Sequence, residues 1–315
     1  MKNIAKIGIK AVAGLCSVII IYLLLSAFLA VQSSSIIFKS DISWSKINLL
    51  GNQTFVKGKE GKQIELTSNV NLETINYKAD ILKNPNNAEY DFVIYLHGNA
   101  GRLDNIVTTL GSGSKSKLIV VSPAYPGYHE SEGPTTTDNV YQTSVDTYNY
   151  LVDIKGIPES KISIFGHSLG GSPATYLASL KPNAKQLILV NTFSSIQSMC
   201  YKSYSIFCIF SGGTFNTAKS AEKVTIPVRQ FHLKTDQTVP FEEGKTLFTY
   251  FINAKDKKFI ELEKYTHSIL DFDLIFKELN FNSIPVQTQQ MTPQTTPQQV
   301  QPVQSSSSMN NSVSQ

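Results

Sequence analysis

The sequence contains little cysteine and tryptophan, and neither sign of charge is in large excess. Among its 315 residues, 3 are cysteine and 1 is tryptophan, and the formal net charge at pH 7 is +4. The positive charges are spread along the chain and form no basic patch, so we predict no nucleic-acid partner. The cysteines have no further metal-ligating residues beside them, and we predict neither a metal ion nor a cofactor.

The few cysteines leave the redox state open. Cys16 lies in an apolar N-terminal run, while Cys200 and Cys208 are close together in the second half of the chain. A disulfide between the latter two would form if this part of the chain faces an oxidising compartment. Two free thiols in the core are the alternative.

An uncharged apolar run occupies residues 11–31. About 20 such residues are needed to cross a bilayer as a helix. The lysines of residues 1–10 precede this run and predict a cytoplasmic N-terminus, with the rest of the chain across the membrane. A cleaved signal peptide is the alternative, but its apolar region is usually about 7–15 residues long, and Phe28 would place a bulky residue at position −3. We therefore predict an uncleaved transmembrane anchor.

The remaining chain divides by composition into three parts. Residues 32–59 are predicted to be a juxtamembrane linker, and residues 60–282 are long enough for a single domain with a substantial core. Residues 283–315 are rich in Gln, Ser, Thr and Pro and lack both charge and hydrophobic periodicity. Such a segment cannot bury enough apolar surface to offset its ordering entropy, so we predict a disordered tail.

Short β-branched runs alternate with longer amphipathic stretches in the predicted domain. The predicted strands are residues 90–96, 117–121, 162–165, 186–190, 228–231 and 258–262, and the predicted helices are residues 139–153, 174–180, 241–251 and 272–279. This alternation predicts an α/β fold with a mostly parallel central sheet and helices on both faces, preceded by a β-hairpin over residues 62–82. Ligands bind such sheets at the carboxyl ends of the strands, so each site residue should directly follow a strand.

Residues 166–170 read Gly-His-Ser-Leu-Gly and lie between a predicted strand and a predicted helix. A serine on a sharp strand-to-helix turn needs small residues two positions to either side, because the backbone there is strained and crowded. The following helix directs amide N–H groups towards an anion formed over Ser168. We interpret Ser168 as a nucleophile, and an ordinary glycine turn is the alternative.

A serine hydroxyl needs a neighbouring base, and the chain offers 5 histidines. His267 follows the last predicted strand and is therefore the predicted base. The other histidines lie in glycine motifs, in a loop or at a strand end: His97, His129, His167 and His232.

Asp236 follows the strand at residues 228–231 and is the predicted acid that orients the base. An Asx turn ahead of a helix is its alternative role. The rival position, after the preceding strand, holds Asn191, which cannot supply a fixed negative charge. The developing oxyanion would be held by the backbone N–H of Leu169 and, after the strand at residues 90–96, by that of Asn99.

The chain order Ser, Asp, His and several motifs resemble α/β-hydrolase-fold serine hydrolases. More narrowly, they resemble the membrane-anchored group that includes acyl-protein thioesterases and serine-aminopeptidase-like hydrolases. The matching stretches are residues 95–101 (YLHGNAG), 125–128 (YPGY), 131–133 (SEG), 166–171 (GHSLGG), 191–196 (NTFSSI) and 236–240 (DQTVP). The resemblance covers about residues 70–280.

Three positions depart from the group's pattern. Leu233 replaces a usual glycine after His232, no glycine precedes His267, and Pro173 lies about one turn into the helix after the serine. None of these departures removes a catalytic group.

The resemblance implies a membrane-anchored serine hydrolase that cleaves carboxylic esters or thioesters through an acyl-enzyme intermediate. Its partners would be the lipid bilayer and an ester or acylated substrate, lipid or acyl-protein. We expect a monomer whose catalytic domain lies on the non-cytoplasmic side. A peptidase-like amide hydrolase and a catalytically inactive binding module are the alternatives.

Residues 194–222 form an insertion that is rich in aromatic and aliphatic side chains. A small lid with an apolar wall for an acyl chain is one interpretation. An amphipathic helix packed on the sheet is the other.

Overall fold

A computed structural model describes residues 52–79, 90–99, 118–199, 214–268 and 270–278, with positions 20, 21, 107 and 110. The predicted tail and Cys16, Cys200 and Cys208 lie outside these residues, as does the predicted anchor apart from Ile20 and Ile21. The described residues all belong to the same compact unit. Within the described ranges, every helix is too short or too polar to cross a bilayer.

In the part of the chain that the structure describes, eight strands form a single sheet in the order β1-β2-β4-β3-β5-β6-β7-β8. The strands are β1 (Asn52–Lys57), β2 (Gln63–Ser68), β3 (Asp91–Leu96), β4 (Leu118–Pro123), β5 (Ile162–His167), β6 (Gln186–Val190), β7 (Val228–Leu233) and β8 (Lys257–Leu262). β2 pairs antiparallel with β1 and β4, and every other neighbouring pair is parallel. The predicted mostly parallel sheet is confirmed.

Five α-helices connect or follow these strands in the described residues. They are α1 (Thr137–Asn149), α2 (Gly171–Leu180), α3 (Thr217–Ala221), α4 (Phe241–Thr249) and α5 (Phe272–Glu278). α1 continues as a π-helical turn over Tyr150–Ile154. Thr136 caps the N-terminus of α1, because its side chain accepts a hydrogen bond from the Asn139 N–H.

The sheet is covered on both faces. Phe92, Ile94 and Leu96 of β3 join the core that also holds buried side chains of α1, α2, α3 and α4. Val93 and Tyr95 point the opposite way, into the core that contains Ile275 of α5. Because successive strand residues face opposite sides, β3 must be apolar throughout, and this explains its continuous hydrophobic run.

The first strand corrects two predictions. β1 occupies residues 52–57, within the stretch predicted as a linker, and the leading hairpin spans residues 52–68 instead of 62–82. Thr54 and Val56 are buried, whereas their neighbours along the strand are exposed. An edge strand with only two buried side chains has too weak a hydrophobic pattern to be recognised.

The insertion at residues 194–222 closes on itself at its base. Ser195 pairs with Asn216 in an antiparallel bridge, and the Ala218 N–H donates to the Ser194 carbonyl over 2.9 Å. The buried Glu243 carboxylate of α4 accepts hydrogen bonds from the hydroxyls of Ser194 (2.7 Å) and Ser198 (2.6 Å). Residues 200–213 lie outside the described residues, and with them most of the side chains that suggested a lid.

Candidate active site

Ser168 lies on a sharp turn between β5 and α2. Its φ of +53° is in the left-handed region, and residues 168–170 form a short 3₁₀-helix that leads into α2. The turn is too crowded for side chains at positions 170 and 171. A Cβ at Gly170 would lie 2.0 Å from the Leu96 carbonyl oxygen, and one at Gly171 would lie 2.0 Å from the Thr192 hydroxyl. The glycines therefore let the turn pack directly against β3 and the end of β6.

Two hydrogen bonds join Ser168, His267 and Asp236. The Ser168 Oγ lies 2.9 Å from the His267 Nε2, and the His267 Nδ1 lies 2.7 Å from the Asp236 Oδ2. With Nδ1 protonated and facing the carboxylate, Nε2 presents its lone pair to the serine hydroxyl. The three residues follow β5, β8 and β7, so they meet at the carboxyl edge of the sheet where the alternation of elements predicts a site.

Asp236 is buried and held by its own loop. Its Oδ1 accepts hydrogen bonds from the N–H groups of Thr238 (2.8 Å) and Val239 (2.9 Å), so the Asx-turn geometry and the contact with His267 coexist. Burial alone would raise the pKa of Asp236, but hydrogen bonds from His267, Val239 and Thr238 outweigh it and lower that pKa. The carboxylate is therefore charged at neutral pH.

The loop after β3 lies against the serine. A Cβ at Gly98 would lie 3.2 Å from the Ser168 Cβ, so the loop that continues to Asn99 passes directly beside the candidate nucleophile. Leu169, whose N–H is the other predicted oxyanion donor, is the second residue of the 3₁₀-helix, and the first N–H groups of a helix have no carbonyl partner within it.

Two tyrosines of the loop after β4 support this segment, a role that the sequence analysis missed. The Tyr128 hydroxyl lies 3.1 Å from the carbonyl oxygen of Asn99 and 2.9 Å from its side-chain oxygen. The Tyr125 hydroxyl donates to the His97 carbonyl over 2.9 Å, and its ring stacks on the His97 ring at 3.9 Å. The motif at residues 125–128 was the available signal, although it does not specify these contacts.

Residues at the end of β6 contact both the nucleophile and the base. The Thr192 hydroxyl donates to the Ser168 carbonyl over 2.8 Å. The Asn191 Nδ2 donates to the His267 carbonyl over 3.1 Å. Asn191 thus occupies the rival acid position and binds the backbone of the base instead of its imidazole.

Three of the remaining histidines are buried near the site. Burial lowers the pKa of His97 to about 3 and that of His167 to about 4, and it also lowers the pKa of His232. Each of these histidines places one ring nitrogen within 3.0 Å of a backbone carbonyl oxygen, and that nitrogen must therefore carry the proton. All three are neutral hydrogen-bond donors at neutral pH.

The described residues contain no group of three or more His, Cys, Asp and Glu side chains placed to hold a metal ion. The chemistry that the site offers is that of a hydroxyl, an imidazole and a carboxylate in one hydrogen-bonded chain. This arrangement suits nucleophilic attack by the hydroxyl with proton transfer to the imidazole.

The fold and the sequence together define an α/β-hydrolase-fold protein. A family model for the alpha/beta hydrolase fold matches residues 91–204, which include Ser168 and end before Asp236 and His267. The resemblance inferred from the motifs is confirmed at this level.

Proteins with α/β hydrolase domains are among the relatives of this chain. It is 29% identical over 185 residues to the protein bem46 of Schizosaccharomyces pombe, covering 56% of this chain and 61% of that protein. It is 27% identical over 163 residues to the human alpha/beta hydrolase domain-containing protein 17B, covering 51% of this chain and 55% of that protein. The alignments thus span little more than half the length of these relatives, and they support a hydrolase.

Solved structures share the fold at low sequence identity. Est1E from Butyrivibrio proteoclasticus superposes with a TM-score of 0.54 at 15% identity, over 73% of this chain and 96% of Est1E. An alpha-beta hydrolase from Vibrio vulnificus gives a TM-score of 0.57 at 17% identity, over 73% of this chain and 80% of that one. The described domain therefore has the central architecture of these proteins.

Proposed function

We propose that this protein is a serine hydrolase that cleaves carboxylic esters or thioesters through an acyl-enzyme intermediate. The proposal rests on one observation above all, the hydrogen-bonded chain from the Ser168 Oγ through the His267 imidazole to the Asp236 carboxylate. The relatives with α/β hydrolase domains support a hydrolase.

In the proposed mechanism each of the three residues has its own step. The Ser168 Oγ attacks the carbonyl carbon of the substrate while the His267 Nε2 takes the hydroxyl proton. Asp236 fixes the tautomer of His267 and stabilises the imidazolium that forms. When the tetrahedral intermediate collapses, His267 returns the proton to the departing alcohol or thiol. Water, activated by the same imidazole, then attacks the acyl-serine and releases the acid.

The oxyanion of each tetrahedral intermediate would be held by the N–H groups of Leu169 and Asn99. Removing one such donor typically lowers the rate by a factor on the order of 10²–10³. The contacts of Tyr128 with Asn99 keep the loop after β3 in place against Ser168.

Labelling with a fluorophosphonate probe tests the nucleophile directly. The wild-type protein should be labelled, and Ser168→Ala should abolish both labelling and ester hydrolysis because it removes the hydroxyl that lies 2.9 Å from the His267 Nε2. Ser172→Ala is the matched control, since Ser172 is a buried serine one turn further along α2 that contacts Tyr141 instead. Folded wild-type protein that is not labelled at Ser168 would identify a binding module.

A substrate comparison tests the bond that is cleaved. Purified protein would be assayed with p-nitrophenyl esters, acyl thioesters and aminoacyl amides. We expect turnover of the esters and thioesters, each dependent on Ser168. Turnover of the amides alone would contradict the proposal and support a peptidase.

We also propose that residues 11–31 anchor the protein in a membrane, with residues 1–10 in the cytoplasm and the hydrolase domain on the other side. The charge-free apolar run and the lysines before it support this topology. A reporter fused after residue 315 should be digested by external protease in intact cells. Protection of the reporter in intact cells and digestion after permeabilisation would reverse the orientation.

A further inference from the structure

His267 lies on a loop, not in a strand or helix. Strand β8 ends at Leu262 and helix α5 begins at Phe272. Two residues before His267, Tyr265 has a φ of +78°. A general base that must stay within hydrogen-bond reach of Ser168 therefore needs contacts from outside its own segment.

Two side chains from other strands bind the His267 carbonyl oxygen. The His167 Nε2 lies 2.8 Å from it, and the Asn191 Nδ2 lies 3.1 Å from it. His167 ends β5 and immediately precedes Ser168, while Asn191 immediately follows β6. Both contacts therefore start from the rigid parallel sheet, on the two strands that carry the nucleophile and the rival acid position.

The side-chain oxygen of Asn191 is also hydrogen-bonded. Its Oδ1 accepts the Leu233 N–H over 2.9 Å, so the amide bridges the end of β7, which leads to Asp236, and the loop of the base. Asn191 is buried and has a φ of +50°, a conformation that asparagine tolerates better than most residues. Aspartate would keep the shape and the acceptor but lose the N–H donor.

His167 is suited to act as a constant donor. It is almost fully buried, and no described residue hydrogen-bonds its Nδ1. Because burial lowers its pKa to about 4, the ring stays neutral at neutral pH with its proton on Nε2, which faces the carbonyl. The contact therefore does not depend on a change in protonation near pH 7.

We propose that His167 and Asn191 are positioning residues that together fix the backbone of His267 and so hold its imidazole at the Ser168 hydroxyl. Neither side chain touches the substrate. The inference rests on the proposed function, since it assigns His267 as the base.

The first test compares turnover per active site, with active sites counted by phosphonate titration. His167→Leu and Asn191→Gly each remove one donor, and we expect kcat to fall about 10–100-fold with KM nearly unchanged, since a misplacement of about 1 Å costs roughly 10²-fold. Asn191→Asp, assayed at pH 8, keeps the acceptor for the Leu233 N–H but turns a carboxylate oxygen towards the His267 carbonyl, so it should lower kcat at least about tenfold. His167→Gln restores an N–H donor and should recover most of the loss.

Ser163→Ala is the matched control. Ser163 is buried near the other end of β5, where its hydroxyl accepts a hydrogen bond from Gln186 over 3.3 Å. Losing this buried bond should lower the unfolding temperature without lowering kcat per active site. If the control and His167→Leu lower kcat equally, His167 has only a structural role.

The double variant tests whether the two donors act together. Both side chains bind the same oxygen atom. The fold-decrease in kcat of the double variant His167→Leu, Asn191→Gly should therefore be clearly larger or smaller than the product of the two single fold-decreases. Active variants with unchanged kcat, or independent effects that simply multiply, would overturn the inference. Wild-type protein without Ser168-dependent turnover would instead overturn the proposed function, so the two failures are distinguishable.

Discussion

Backbone conformations that most residues avoid are concentrated around the candidate site. Five described residues other than glycine have a positive φ, and three of them, Ser168, Asn191 and Tyr265, are the nucleophile or lie close to the base. Each such conformation costs on the order of 1–3 kcal/mol and persists only where surrounding contacts impose it. Around this site the surrounding contacts are the hydrogen bonds of His167, Asn191 and Asp236 with His267.

Tyr265 occupies a position where a glycine would be less strained. Residues 263–266, directly before His267, contain no glycine, and the φ of +78° locates the strain at Tyr265. We expect Tyr265→Gly to raise the free energy of unfolding by about 1 kcal/mol or less, because relief of strain exceeds the added freedom of the unfolded chain.

Urea unfolding would measure this change, with Tyr250→Gly as the control. Tyr250 is also exposed, but its φ of −78° is ordinary, so that variant should lose about 1 kcal/mol. Equal destabilisation by both variants would mean that Tyr265 carries no strain.

The charge of Asp236 is the second property that a single substitution can test. Asp236→Asn keeps the side-chain shape but removes the negative charge facing the His267 Nδ1. We expect kcat to fall by a factor of roughly 10³–10⁴, as when the acid of a serine triad is replaced by its amide. Steady-state kinetics with a p-nitrophenyl ester measures it, and a decrease of less than tenfold would assign Asp236 a purely structural role.

The three residues of the hydrogen-bonded Ser-His-Asp arrangement could be predicted because a simple rule applies to their positions. Ser168, Asp236 and His267 each follow a parallel strand, and such strands end at one edge of the sheet. The roles of His167 and Asn191 could not be predicted in this way. Their partner is a backbone carbonyl, whose direction depends on local dihedral angles that the residue types do not encode.

At the scale of elements, the 3₁₀-helix that leads into α2 packs directly on β3. We expect Gly170→Ala to destabilise the domain by about 3 kcal/mol, because overpacking of a close backbone contact costs typically 1–3 kcal/mol or more. The added Cβ would lie 2.0 Å from the Leu96 carbonyl oxygen, and backbone cannot move aside as a flexible side chain can.

Gly61→Ala is the control for this prediction. Gly61 lies in the turn between β1 and β2 and has a φ of +74°, and a Cβ added there would meet no heavy atom within 4 Å beyond the adjoining residues. The free energy of unfolding of Gly61→Ala should therefore decrease by only about 1–2 kcal/mol, the cost of placing alanine in a left-handed conformation. Thermal unfolding of both variants compares the two costs, and equal shifts would contradict close packing at Gly170.

Deep burial made β3 to β7 predictable, whereas the edge strand β8 was predicted although it buries only Leu262. β3 to β7 have at least four buried residues each, and their apolar runs stand out in the sequence. β1 buries only Thr54 and Val56 and was assigned to the linker. Pro173 looked unfavourable for a helix, yet it lies at the third residue of α2, where its missing N–H costs no helical hydrogen bond.

For the whole molecule, the buried histidines predict sensitivity to acid. The folded pKa values of His97 (about 3) and His167 (about 4) lie below the ordinary value of 6.5. The unfolded chain therefore binds more protons between pH 6.5 and 4, so stability is complete above this range and falls as the pH decreases through it. From pH 8 to pH 5, the free energy of unfolding should decrease by about 2 kcal/mol for each of these two histidines.

Urea midpoints at pH 8, 7, 6 and 5 would measure this loss. His167→Gln removes one of the titrating groups, so its midpoint should decrease less steeply over the same range even if the variant is less stable at pH 8. The lowered pKa of Asp236 adds a further loss below about pH 4, because the carboxyl of the unfolded chain takes up a proton before that of the folded chain does. A wild-type midpoint that is constant from pH 8 to pH 5 would contradict the assignment of neutral buried histidines.

The spacing of the hydrogen-bonded chain also has a consequence for synthesis and folding. Ser168 and His267 are 99 residues apart, and β8 pairs only with β7 in the described sheet. A ribosome adds about 5–20 residues per second, so the nucleophile leaves the ribosome about 5–20 s before its base does. During this interval the emerging chain carries a serine without a partner, and it cannot hydrolyse its substrate prematurely. The appearance of activity would then mark the docking of β8 as a late step of folding.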